Sequence, residues 1–283
     1  MRRRLDMSAG LATGWRRPGR PVRLAPWVRR LACLVLAAGL LPVGADAACF
    51  RKEPGTLWNY AGDISRSLRI RMTLIFDGAR LKGRYTYASQ LRDIDLEGTV
   101  REGRDVVLDE KDAAGRVVAR FTGRFAERDP RGIYGDSPLT CDVIIGTWQR
   151  TGSTEQRPFY VNATGATSGS LAHRYGAAGA GDDDRVHRNA ACFWEAVKRG
   201  DKNAVAAQIR YPIRIPMGGK AKTLRSPGEF AREYDAILTP KTRAAILDDI
   251  PRYMFVRDEG IMLAGGLVWF GADGRVISLN PLR

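Results

Sequence analysis

Residues that carry metal or nucleophilic chemistry are scarce in this chain. Two histidines, His173 and His187, and four cysteines, Cys33, Cys49, Cys141 and Cys192, are all that 283 residues contain. They form no CxxC or HExxH spacing, so a zinc site has no support and neither a metal nor a cofactor is expected. No apolar run approaches the roughly twenty residues that a membrane-spanning helix needs, so no transmembrane anchor is expected. Acids are nearly missing from the first thirty residues, where Asp6 stands alone against nine arginines.

That basic stretch leads into an eleven-residue apolar run, Leu31 to Leu41, and then into Val43-Gly44-Ala45-Asp46-Ala47, with alanine at the two positions a signal peptidase reads. The order of basic, apolar and small-residue regions is that of a secretory signal. Residues 1–47 are therefore expected to be removed near Ala47, leaving a periplasmic or secreted protein. Asp46 stands where a lipobox wants an apolar residue before Cys49, which argues against lipidation.

Cleavage would take away nine basic and two acidic residues, and the net charge of +15 would fall to +8. Much of the basicity thus belongs to the leader, and nucleic acid is not expected as a partner. An anionic envelope surface suits an exported basic protein better. Three cysteines would remain, in a compartment that permits disulfides. A Cys49–Cys141 bridge is expected, worth about 4–5 kcal/mol in the chain-entropy model, with Cys192 a buried thiol among Ala191, Phe193 and Trp194.

Residues 163–183 contain almost no large apolar side chain and predict a flexible linker. The chain would then divide into an all-β domain over 48–162 and an α+β domain over 184–283. In the first, Leu68, Ile70, Met72 and Leu74 alternate with polar residues. An apolar-x-Gly-x-apolar phrase recurs at Leu81–Tyr85, Leu96–Val100, Phe121–Phe125 and Ile144–Trp148. Glycine within a strand marks a close backbone approach or a bend, so about eight antiparallel strands forming a barrel or a sandwich are expected. Arg69, Arg71, Lys82 and Arg84 should share the outer face with Asp93, Asp95 and Glu97 of the next strand, as cross-strand ion pairs. The phrases Gly83-Arg84-Tyr85-Thr86-Tyr87 and Gly146-Thr147-Trp148 resemble those of avidin- and lipocalin-type barrels. Asp93–Gly98 and Leu108–Glu110 resemble stretches of exported bacterial β-rich domains. Both resemblances imply architecture and no particular ligand.

In the second domain, Val186, Ala190, Phe193 and Val197 recur at helical spacing. Ser226-Pro227-Gly228-Glu229 is a capping box with proline at the first helical position, Thr239-Pro240 starts a further helix, and four short strands close the chain, with a turn at Asp273-Gly274. This order, with Ala196–Asp201 and the Trp269-Phe270-x-x-Asp273-Gly274 hairpin, resembles the nuclear-transport-factor-2-like superfamily. The resemblance implies a cone-shaped α+β fold around an apolar pocket lined by Phe193, Trp194, Tyr211, Tyr234, Met254, Met262 and Trp269. Catalytic members use acid–histidine or paired acid–base residues there, and no histidine falls on the expected pocket strands.

Gly135-Asp136-Ser137 and Asp184-Arg185-Val186-His187 mimic serine-esterase blocks. Ser137, however, precedes a proline in a turn between strands, and His187 lies across the expected linker, so no esterase site is expected. The function these features favour is that of an exported, non-catalytic binding or accessory protein. Its partner would be another protein, as for an inhibitor or immunity protein, or a small apolar ligand. The enzymatic alternative is a small isomerase, cyclase or hydrolase using the C-terminal pocket.

Overall fold

The computed structural model describes residues 53, 55–126, 130–132, 142–258 and 260–282. The expected signal segment and both cysteines of the expected Cys49–Cys141 bridge lie outside the described residues, as does Ser137.

Eight antiparallel strands run as an up-and-down meander: β1 (Thr56–Ile64), β2 (Leu68–Asp77), β3 (Arg80–Tyr87), β4 (Ile94–Arg101), β5 (Asp105–Lys111), β6 (Val117–Phe125), β7 (Val143–Arg150) and β8 (Gln156–Ser168). The last pairs with the first, and the sheet closes as a barrel rather than stacking as a sandwich. Period-two alternation sends Met72, Leu74, Tyr85, Leu108, Phe121 and Phe159 into its core. The four glycine phrases fall on β3, β4, β6 and β7. Gly123 and Gly146 face each other across β6 and β7, and a β-carbon at Gly146 would collide with the backbone there. That close approach lets the sheet curve enough to close.

A small α/β region follows. It comprises α1 (Asp183–Arg199), α2 (Lys202–Ala207), the hairpin β9 (Ile213–Met217) and β10 (Lys220–Leu224), α3 (Pro227–Ile237), α4 (Pro240–Leu247), and an antiparallel sheet of β11 (Phe255–Arg257), β12 (Gly260–Leu263), β13 (Val268–Phe270) and β14 (Val276–Leu279). The helix ends are chemically marked. Asp182, Ser226 and Thr239 side chains each accept a backbone N–H as N-caps, and Gly200, at φ +67°, ends α1. The apolar faces of α1 and α3 meet the sheet in one core, where Phe193 packs edge-to-face on Phe270 at 5.7 Å.

Two expectations are corrected. The segment 163–183 is not a free linker: β8 pairs with β1 as far as Ser168, and Arg174 and Tyr175 are buried. Small residues do not prevent order here, because a strand's ladder is made by backbone groups and Gly165 leaves room for the Phe255 ring. Beyond β8, the Asp183 carboxylate accepts the backbone N–H groups of Arg174 (2.7 Å) and Tyr175 (3.2 Å), which ties the connection down. Cys192, expected to be buried, is exposed. Helical rotation carries it away from its buried neighbour Phe193.

The barrel and the α/β region belong to one compact unit. Arg71 reaches out from the barrel wall to the Ile250 carbonyl (2.9 Å) and the Asp249 carboxylate (2.6 Å). Arg84 pairs with Asp95 (2.8 Å), as the cross-strand reading expects, whereas Glu97 takes Lys111 of β5, a residue outside that reading. Arg69 and Arg71, by contrast, bond across to the α/β region.

Candidate functional site at the barrel mouth

Antiparallel order brings the ends of odd strands and the starts of even strands to the same rim. At that rim lies a cavity of about 770 Å³ whose walls include Leu68, Tyr87, Ile94, Glu110, Trp148 and Arg157. Further in, the barrel core is filled, and there the Phe121 ring packs edge-to-face on Tyr85 (5.3 Å) and Phe159 (5.1 Å). The site is a cup and not a channel.

On β5 the inward positions Val106 and Leu108 are followed by Glu110, so the alternation that fills the core ends on a carboxylate. Glu110 Oε2 accepts the Tyr85 hydroxyl at 2.7 Å and the Trp148 indole N–H at 3.1 Å. The Tyr87 hydroxyl lies 3.1 Å from that of Tyr85. Burial, reinforced by the Glu110 charge, raises the Tyr85 phenol well above its ordinary range, so it remains a donor. Oε1 of Glu110 has no protein partner among the described residues. Around the rim, Arg157 sits over the Trp148 ring at 5.9 Å and Arg116 pairs with Asp112.

No family model, curated protein or solved structure matches this chain. The functional reading therefore rests on the chemistry of its own residues.

Most of the seven residues expected to line a C-terminal pocket are packed into or against the α/β core. Phe193, Tyr234 and Met254 are buried in the α/β core, with Trp194 and Tyr211 packed against it. The Trp194 indole donates to the Ile246 and Asp249 carbonyls, and the Tyr211 hydroxyl to that of Ala206. Met262 and Trp269 are cross-strand neighbours on β12 and β13, and Met262 lines a seam groove of about 730 Å³. Phe193, Phe230, Tyr234 and Phe270 occupy the interior where the resemblance implies a pocket. Glu110, Tyr85 and Trp148, which converge, were not singled out as a site by sequence reasoning. The pattern Val106-x-Leu108-x-Glu110 was the available signal, since an acid on an inward-facing row needs a partner or a mouth.

A groove of about 830 Å³ on the outer wall is larger, and Val107, Ile145, Arg66, Arg101 and Arg124 are among its walls. Its other arginine, Arg131, is engaged by Asp63 and the Tyr160 ring.

A polar cluster also lies where the barrel meets α1. The Tyr253 hydroxyl donates to Asp93 at 2.6 Å, and Asp93 also accepts from Arg252. Burial pushes the Asp93 carboxyl up, but these donors outweigh it and hold the group below its ordinary value. His187 is buried beside Tyr175. Burial, then the charge of Arg252, depress its imidazole to about 3, with Asp93 pulling the other way. The native ring is therefore neutral, whereas the unfolded chain takes up a proton below about pH 6.5. This contribution to stability is complete above that pH and is lost as the pH falls towards 3. Between pH ~6.5 and ~5 the loss should reach about 2 kcal/mol at ~1.4 kcal/mol per unit. Urea midpoints at both pH values should show it in the natural protein and not in His187→Asn. Parallel losses in the two proteins would refute it.

Proposed function

We propose that this chain is an exported, non-catalytic binding protein whose barrel mouth holds a small amphipathic ligand. The observation that carries the reading is Glu110, a carboxylate turned inward at the rim with one oxygen held by Tyr85 and Trp148 and the other unused. An unused carboxylate oxygen accepts a hydroxyl or amine hydrogen. The faces of Tyr87 and Trp148, with Leu68 and Ile94, supply the apolar wall beside it. Concave, mostly apolar sites with a few placed polar groups are the usual form of a small-molecule site, and barrel mouths are a common location. Export is supported by the leader pattern of residues 1–47. A weaker association with an anionic envelope surface is supported by the exposed Arg66, Arg101 and Arg124.

The reading is tested by titrating octyl glucoside and octylamine into the mature protein below their micelle concentrations, while following tryptophan fluorescence. Saturable quenching is expected, with binding weakened about tenfold or more in Glu110→Gln, as loss of a hydrogen bond to a charged group implies. Thermal melts establish that the variant is folded. Unchanged affinity in a folded Glu110→Gln protein, or no saturable signal with either probe, would remove the mouth as the site.

A further inference from the structure

Where the barrel wall meets α1, His187 and Arg174 each bury a nitrogen that has no hydrogen-bond partner among the described residues. Tyr175 accepts the Met254 backbone N–H at 3.1 Å, and its hydroxyl lies 2.9 Å from Nε2 of His187. Among the described residues Nε2 is the only acceptor in reach of the buried phenol proton, so Tyr175 donates to it and the ring proton is left on Nδ1. His187 Nδ1 is buried and has no protein partner among the described residues. Arg174 is 2 % exposed; its Nη1 donates to the Asn59 side-chain oxygen at 2.8 Å, and its Nη2 is buried without a partner. Both side chains line a cavity of about 210 Å³ that opens past the exposed Gly181 and Asp184.

The acceptors around this cavity are already engaged, apart from the Asp184 carboxylate, which is exposed to solvent at the entrance. Asp93 takes Arg252 and Tyr253, Asp183 takes the N–H groups of Arg174 and Tyr175, and Asp182 caps the N–H of Arg185. The unmet hydrogen-bonding capacity is thus on the donor side. Leaving a buried donor unbonded is costly, and more so for a guanidinium. Such groups are ordinarily met by a ligand, an ion or water.

We propose that this cavity is a binding site for a small monocarboxylate, held by Arg174 Nη2 and the Nδ1–H of His187. The volume admits a few heavy atoms, where one water takes about 30 Å³. Planar guanidinium donors match a carboxylate well, while Asp182 and Asp184 at the entrance disfavour doubly charged anions. The site is separate from the barrel mouth and does not depend on its occupancy.

Acetate, inorganic phosphate and chloride, each titrated at constant ionic strength into the full mature protein, test the proposal. The readouts are the melting temperature and the ¹⁵N resonances of the His187 ring. Acetate should raise the melting temperature saturably and shift the Nδ1 resonance, with phosphate and chloride well behind. Arg174→Met should abolish both effects. If that variant does not fold, Arg174→Lys, which retains the charge without the second nitrogen, should bind acetate at least about tenfold more weakly. An acetate response no larger than that of chloride would mean that the cavity holds water alone and would overturn the proposal. An equal response in a folded Arg174 variant would overturn it as well.

Discussion

Replacing Asp249 by alanine should cost about 2–4 kcal/mol, the low end reflecting partial exposure of the carboxylate. Three donors depend on this one side chain. Its Oδ1 accepts Arg71 at 2.6 Å and caps the Ile250 N–H at 2.8 Å, and its Oδ2 accepts the Ala264 N–H at 2.7 Å. The Arg71 side chain is 11 % exposed, so without Asp249 a nearly buried guanidinium keeps only carbonyl partners. Breaking such a pair from one side costs more than the pair is worth, because the stranded charge remains buried. Asp249→Asn should lose less, since the amide oxygen can still accept. Urea denaturation measures the loss, and a double-mutant cycle with Arg71→Met separates the pair from the two backbone caps. A cost below about 0.5 kcal/mol, typical of a surface substitution, would show that the seam does not rest on this residue.

Phe121→Ala should be more damaging still, at about 3–5 kcal/mol, the range for truncating a buried aromatic ring. Phe121 is fully buried and stacks edge-to-face on both Tyr85 and Phe159. Its removal takes away core volume next to Tyr85, which reaches the mouth through Glu110. Phe121→Leu retains most of the apolar volume and should cost less than half as much. Because Tyr85 carries the bond to Glu110, a cavity beneath its ring should also weaken binding at the mouth. A folded Phe121→Ala protein with natural stability would mean that the barrel interior can collapse around the gap. Natural probe affinity in that protein would show that Phe121 does not position Tyr85.

The strands and helices were legible for local reasons. Leu68, Ile70, Met72 and Leu74 alternate because one side of a strand faces the core, and Ser226-Pro227 starts a helix because the serine oxygen satisfies a free N–H. The hairpin of β9 and β10 escaped notice because Pro216 interrupts its alternation, although Gly218-Gly219, both at positive φ, marks its two-residue turn. Seven aromatic and sulfur residues were expected around a pocket because apolar spacing looks the same for a core and for a cavity wall.

By itself, the sequence determined an eight-strand meander, the capped helices that follow and the scarcity of metal-binding residues. These properties depend on neighbours a few positions apart, where alternation, capping and turn chemistry operate. Tertiary structure decided that the sheet closes, that residues 163–183 are partly strand and partly buried, and that the α/β interior is filled. It also decided that polar groups meet at the mouth and at the seam. Glu110 finds Tyr85 across 25 residues, Arg174 finds Asn59 across 115, and Tyr253 finds Asp93 across 160. Hydrogen bonds of that separation leave no periodic trace, since any residue able to donate or accept satisfies the local pattern equally well. Only closure of the barrel and docking of the α/β region against its wall select which of them meet.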